Sequence, residues 1–306
     1  MISALLLYKI LQLFLIMIIG FVIAKLKIIK SDDSKVLSKI CLYLLMPSAI
    51  LNSFDFVISN EIVSGLILAF VAAVIIHIIF LVLDKFYVKF CSNNAVERSA
   101  IFYSNAGNLI IPIVTFVLGE EWVVYSTAYL SVQLLFLWTH GIRVFSGDTK
   151  FNIKKILLNV NIIAIFFGVC LMIIGLRLPP FVKGITSSLG SMLGPIGMLI
   201  AGMLAAKINF KRVFRNKRLY FVVVIRMIIY PLIILIVVKL LSNIQIVNSN
   251  KILLISFLAS ITPSAATVMQ FAQIKGEDTD FAVAINVFTT VVCVATMPLM
   301  VTLYNL

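Results

Sequence analysis

The sequence predicts an all-α integral membrane protein. Its ten transmembrane helices form two inverted five-helix repeats, with crossed, broken helices 4 and 9. Three observations carry this reading. Of the 306 residues, 62% are apolar and only 12% are charged, whereas a soluble domain is usually about 45–50% apolar and about 25% charged. Ten apolar windows near the ~20 residues that cross a bilayer follow one another through short connections. Prolines fall mid-window at corresponding places in the two halves.

The composition excludes soluble enzymes and secreted disulfide scaffolds, because too little polar surface is present to cover a water-soluble body of this length. A net charge of +13 is large enough to suit a nucleic-acid binder. Nearly all of it lies in short breaks between apolar stretches, so no nucleic-acid partner is expected. Cys41, Cys91, Cys170 and Cys293 are scattered, with no CxxC pair and no nearby histidine, and neither a zinc site nor a disulfide framework is implied. The N-terminus lacks a charged n-region and a small-residue cleavage site, so Met1 onward reads as the first span and not as a removed signal. The Ile-, Lys- and Asn-rich usage points to an AT-rich bacterial genome.

In order, the spans are 3–24, 37–54, 62–83, 99–118, 122–142, 156–176, 185–206, 219–240, 252–273 and 281–303. Alternating strand patterning is absent and the apolar runs are too long for barrel strands. Lysine and arginine are retained on the cytoplasmic side. The odd-numbered loops and their flanking span ends carry nineteen of them, from Lys25 to Lys275, and the even-numbered loops carry four: Arg177, Lys183, Lys239 and Lys251. This places both termini outside and the odd loops in the cytoplasm, as expected of a multi-pass cell (inner) membrane protein.

Pro47 and Pro112 lie in spans 2 and 4, and Pro195 and Pro263 in spans 7 and 9, shifted by 148 and 151 residues. Residues 1–145 and 146–306 therefore read as two repeats, and an odd number of spans per repeat makes the second inverted. Inverted repeats with interrupted helices point to a secondary transporter and to its binding site. Pro231 in span 8 has no counterpart in span 3. Proline removes an N–H and clashes with the preceding turn. The groups it frees at mid-membrane must line a cavity or find other partners. For Pro47, Pro195 and Pro231 a simple kink competes with a break.

At Pro112 and Pro263 the neighbours favour a break. Span 4 reads Ser104-Asn105-Ala106-Gly107-Asn108-Leu109-Ile110-Ile111-Pro112 and span 9 reads Ser260-Ile261-Thr262-Pro263-Ser264-Ala265-Ala266-Thr267. Two unwound helices crossing there would aim half-helix N-termini inward, each with free N–H groups and roughly half a positive charge, which suits an anion. Small-residue packing with amide hydrogen bonds is the competing account.

These segments resemble the auxin efflux carrier family of bacteria and plants. The likeness extends to Leu45-Met-Pro-Ser-Ala-Ile-Leu, Gly276-Glu-Asp, Asn286-Val-Phe-Thr-Thr and the ten-span plan. The resemblance implies a fold similar to that family and to bile-acid/sodium symporters: a scaffold of helices 1, 2, 6 and 7 beside a transport domain of helices 3–5 and 8–10. It also implies export or exchange of organic anions. Carried over by position, the helix crossover is at Pro112 and Pro263, and Asn105, Gly107, Asn108, Thr262, Ser264, Ala265 and Ala266 bind substrate. Ile110 stands where family members commonly have glycine, Val160 is near a common proline, and the long cytoplasmic loop of the plant carriers is missing.

Arg226 is the only arginine well inside a span. An anion-attracting role, which places it with the substrate-binding residues, and a snorkelling anchor are both open. Lys9 reads as a snorkelling residue. His77 and His140 read as internally bonded or interfacial, and all twelve acids lie in loops or at span ends, so no central carboxylate relays protons. Asp55 and Glu61 remain peripheral proton switches. Gly190, Gly194, Gly197 and Ala201 form a small-residue stripe for tight packing, with homodimerisation as the alternative. Trp122 reads as an interfacial anchor.

The expected function is a carrier of small mono- or dicarboxylates by alternating access. An anion channel and a non-transporting membrane receptor are the rivals. A membrane enzyme lacks a nucleophile–base or metal constellation. The expected partners are a small organic anion and the lipid bilayer. No cofactor is expected, and a proton and sodium remain open as coupling ion.

Overall fold

The computed structural model describes residues 2–55, 59–146, 154, 157–208, 210–244 and 246–306. It is nearly all helical. Its helices are α1 (Ile2–Lys25), α2 (Ser31–Ser53), α3 (Asn60–Phe90), α4 (Ala95–Phe102), α5 (Ala106–Val117), α6 (123–146), α7 (Val160–Ile174), α8 (Pro180–Ala205), α9 (Phe210–Phe214), α10 (Lys217–Leu241), α11 (Ser249–Ile261), α12 (Ala266–Lys275) and α13 (Thr279–Asn305). Six of these are long and apolar enough to cross a membrane: α1, α2, α3, α8, α10 and α13. They correspond to the expected spans 1, 2, 3, 7, 8 and 10.

The other four expected spans are built differently. Spans 4 and 9 are each split, into α4 and α5 and into α11 and α12. Span 6 becomes α7, an apolar helix of 15 residues capped by the Asn159 side chain and closed by Gly175 at φ 72°. Span 5 becomes α6, whose Ser126, Thr127 and Gln133 are buried. The Thr127 and Ser131 hydroxyls donate to carbonyls of their own helix, so the helix satisfies part of its polarity internally.

Local chemistry sets the ends. Ser59, Asn94, Asn216 and Asp278 accept first-turn N–H groups of α3, α4, α10 and α13, the usual work of short polar N-caps. Helix α3 runs to Phe90, past the expected end at 83, because Asp84 is buried in an ion pair instead of facing water. Pro47 and Pro231 do not break their helices. Each lies two residues beyond a π turn, Cys41–Leu45 or Ile225–Ile229, which shifts the ladder so that the missing N–H is absorbed. Pro195 lies just beyond an irregular residue, Met192, in α8.

The glycine stripe of α8 is used for close packing within the chain. A Cβ at Gly190 would sit 2.9 Å from the Ala49 Cα of α2, at Gly194 3.0 Å from the Pro112 ring, and at Gly197 3.0 Å from the Asn108 amide of α5. Deeper in the same helix, Gly202 abuts the Met17 carbonyl of α1, and Gly20 of α1 abuts the Leu199 carbonyl. Among the described residues the core has two clusters: a small one joins α2, α7 and α8, and a large one unites α1, α3–α6 and α9–α13 with Met198, Ala201 and Ala205 of α8.

Candidate functional site: a crossover of two broken helices

Two interruptions meet in the interior. Ser104 and Ser264 form an isolated antiparallel bridge, in which Asn105 N–H donates to the Pro263 carbonyl (2.7 Å) and Ala265 N–H to the Tyr103 carbonyl (2.9 Å). Each bridging serine is itself paired by side chains from the long helix that follows its broken span. The Gln133 amide of α6 accepts from Ser104 N–H (3.2 Å) and donates to the Ser104 carbonyl (2.9 Å). On the other side, Ser264 N–H donates to the Thr289 hydroxyl (3.1 Å) and the Asn286 amide of α13 donates to the Ser264 carbonyl (2.6 Å). Unwound backbone survives in a membrane interior only with such partners.

The break in span 4 therefore falls at residues 103–105, which corrects the expected crossover at Pro112. Pro112 lies inside α5, packed on Gly194. One missing N–H is tolerable in a helix whose neighbour approaches as closely as a glycine allows. Pro263 is at its break and supplies a carbonyl to it.

A cavity of about 160 Å³ opens beside the bridge. Of the expected substrate residues, Asn105, Gly107, Asn108, Ala265 and Ala266 line it. The N-termini of α5 and α12 both begin at its wall, and neither carries a side-chain cap: Asn105 occupies the N-cap of α5 without capping it, and Ala265 stands at the N-cap of α12. Sequence reasoning passed over Gln133, Asn161, Thr267 and Gln270, which share the polar lining with Ser38, Ser104 and Asn159. Asn161 donates to the Leu42 carbonyl (3.2 Å), leaving its own buried carbonyl oxygen without a protein donor. A glutamine in the middle of span 5 was the available signal for Gln133. Among the described residues, no charged side chain lines the cavity.

Thr262, Ser264 and Arg226 are not in this cavity. Thr262 and Ser264 are buried in the bridge. Arg226 is fully buried, and its guanidinium donates to the carbonyls of Ile101 (3.1 Å), Ser260 (2.7 Å) and Thr262 (2.6 Å). These are carbonyls at the C-terminal ends of α4 and α11. A cation there meets the negative ends of two helix dipoles, so Arg226 closes the crossover from behind. Arg226, expected either as a substrate contact or as a snorkelling anchor, lies outside this cavity and does not reach the surface: three acceptors on two other helices hold its side chain inside.

A second cavity, about 650 Å³, lies toward the other end of α5 and includes Lys9, Asn52, Asp55, Pro112, Glu120, Arg177 and Lys183. Asp55 pairs with Lys183 (2.7 Å) and accepts from Leu178 N–H (3.0 Å). Burial pushes its carboxyl up, but the Lys183 hydrogen bond, the Leu178 amide and the nearby cations outweigh that and hold it below the usual carboxylate range. It therefore stays ionised near neutrality instead of switching. His77 is enclosed by Phe80, Phe102, Tyr129 and Phe136, with Nδ1 2.7 Å from the Ala73 carbonyl, a packed core residue as expected.

A family described as "Membrane transport protein" matches residues 5–301. No individually curated protein matches the chain. The match spans both interruptions and nearly the whole chain, so the chain belongs to the auxin efflux carrier family of membrane transport proteins.

Proposed function

We propose that this membrane transporter is a secondary carrier of small organic anions, mono- or dicarboxylates, working by alternating access in a bacterial inner membrane. Ten spans form two inverted repeats, residues 1–145 and 146–306, with both termini outside. Spans 3–5 and 8–10 move as the transport domain against a scaffold of spans 1, 2, 6 and 7, and substrate sits at the crossover.

The observation that carries this reading is the pair of uncapped helix N-termini, α5 and α12, on one uncharged cavity. Their first-turn N–H groups attract an anion without a fixed cation, and the amides of Asn105 and Asn108 supply orienting donors. A cavity near 150 Å³ takes a molecule of about benzene's size, which favours small acids. The second cavity, beyond the Gly194–Pro112 contact, supports a path to the other face.

Counterflow in proteoliposomes tests the proposal, with mono-, di- and indole carboxylates loaded against labelled tracers. Saturable exchange of a small acid, lost in Asn105→Ala and Asn108→Ala variants that remain folded, is the expected result. Normal exchange by both variants sinks the crossover site. Single-channel currents in place of saturation point to a pore, and binding without exchange points to a receptor.

A further inference from the structure

A line of polar side chains runs from the lysine- and arginine-rich end of the helices to the crossover. Arg98 on α4 donates from Nε to Asp84 Oδ1 (3.0 Å) and from Nη2 to Oδ2 (2.7 Å). His140 on α6 places Nε2 3.2 Å from Asp84 Oδ2 and Nδ1 2.9 Å from the Tyr103 hydroxyl. Tyr103 donates in turn to the Phe136 carbonyl (2.9 Å), at the start of the π turn Leu137–Gly141. Tyr103 immediately precedes Ser104, and its own carbonyl is one of the bridge acceptors.

Counting protons along this line singles out one state. An ionised carboxylate only accepts, and a tyrosine hydroxyl has one hydrogen to give. If that hydrogen goes to the Phe136 carbonyl, His140 Nδ1 must be a donor to the Tyr103 oxygen. Nε2, facing a carboxylate already held by Arg98, must also donate. All three contacts are satisfied together only when both ring nitrogens carry hydrogen. A neutral ring that keeps Nε2–H toward Asp84 turns Nδ1 into an acceptor, which competes with the Phe136 carbonyl for the single Tyr103 hydrogen.

We propose that His140 is a proton-binding site of the transport cycle, exchanging its second proton with water at that end of the molecule and passing its state to the crossover through Tyr103. This rests on the carrier reading above and names its coupling ion. The only bond made or broken is the Nδ1–H bond, and the proton comes from and returns to water. The His140 and Asp84 side chains are 15% and 7% exposed, sheltered but within reach of solvent. The neighbouring groups are assigned. Asp84 faces the ring from α3 and Arg98 from α4, while Phe102 stacks on it at 4.6 Å. Glu97 is held by Arg218 (2.6 Å) and Tyr87 (2.9 Å). Arg226, with Tyr230 on the same helix α10, lies behind the bridge, and α12 approaches α6 through Phe271 against Trp138.

The chain has two histidines, so ¹⁵N-histidine labelling of the full-length protein in nanodiscs gives two ring systems, and His140→Gln assigns them. A pH series reads the ring nitrogens: gain and loss of a second proton by His140 is the result expected of a proton-binding site, and the His77 signals are followed in the same spectra. In Asp84→Asn the ring is expected to hold one proton throughout. In proteoliposomes, an imposed proton gradient is expected to drive wild-type accumulation of the exchanged acid by up to about tenfold per pH unit, with a ratio near one in His140→Gln. A wild-type ring that never takes the second proton overturns the proposal, as does undiminished gradient-driven accumulation in His140→Gln. Absence of any wild-type counterflow overturns the carrier reading instead, and the titration alone then decides the proton site.

Discussion

Arg226 offers the sharpest test of how the crossover is held. Arg226→Ala deletes three charge-assisted hydrogen bonds to the carbonyls of Ile101, Ser260 and Thr262 and leaves those acceptors buried. Interhelical hydrogen bonds in a bilayer average about 0.6 kcal/mol, and hydrogen bonds to charged groups in soluble proteins run about 1.5–3 kcal/mol. Three of them bracket the loss between about 2 and 9 kcal/mol, before the helix-end electrostatics are added. Against a typical total of about 5–15 kcal/mol, the alanine variant is expected to be poorly folded. Arg226→Lys keeps the charge but offers a single nitrogen to three acceptors on two helices, and about 2 kcal/mol is expected to be lost. At about 2–4 °C per kcal/mol for chains approaching this size, the melting temperature in detergent falls by about 4–8 °C. Substrate affinity in the folded lysine variant changes little, since the side chain does not reach the cavity. A lysine or alanine variant with wild-type melting and a large loss of anion affinity would refute the clamp and restore Arg226 to the binding site.

Two further outcomes follow from packing and charge. Gly202→Ala meets the Met17 carbonyl, a backbone atom, whereas Gly194→Ala meets the Pro112 ring at 3.0 Å; thermal melting is expected to show a loss of about 3 kcal/mol for the first and about 1 kcal/mol for the second, and the reverse order contradicts the α1–α8 contact. Asp55 is held below its usual range by Lys183 and the Leu178 amide, so its ion pair stabilises above the ordinary carboxylate value of about 3.9 and is lost as pH falls through the lowered folded value. Wild type should therefore out-melt Asp55→Asn at neutral pH and begin to converge with it below about pH 4, and a gap that does not narrow in acid shows that the stabilisation has another source.

The helical class, the six long spans and the existence of two interruptions were legible because each depends on local composition. Asn105 to Asn108 and Thr262 to Ala266 advertise polar, small-residue backbone within an apolar run. Where the first interruption falls was not legible. Proline marks a missing donor, but the location of an unwound turn is decided by which carbonyls and amides find partners. Those of residues 103–105 come from Gln133 and from residues 263 and 265, far away in sequence. The same limit hid Arg226. Depth along a helix gave it a route to the surface, whereas its acceptors on α4 and α11 keep it fully inside. It also hid Asp84, which reads as the start of a loop until Arg98 and His140 are brought beside it. The lining residues Asn161 and Gln270 sit at helix positions that carry no signal of their own, because only the fold brings both to one cavity.

The bridge between Ser104 and Ser264 also sets an order of events during synthesis. When the first half of the chain enters the bilayer, Gln133 can already pair Ser104, but the Tyr103 carbonyl and the Asn105 amide have their partners at Ala265 and Pro263. At about 5–20 residues per second, those residues emerge about 10–30 s later. Over that interval the nascent half-protein carries an open polar gap in its membrane interior, in need of water, lipid headgroups or an insertion factor. Only the arrival of the second half closes the gap, so each half is the other's last folding step.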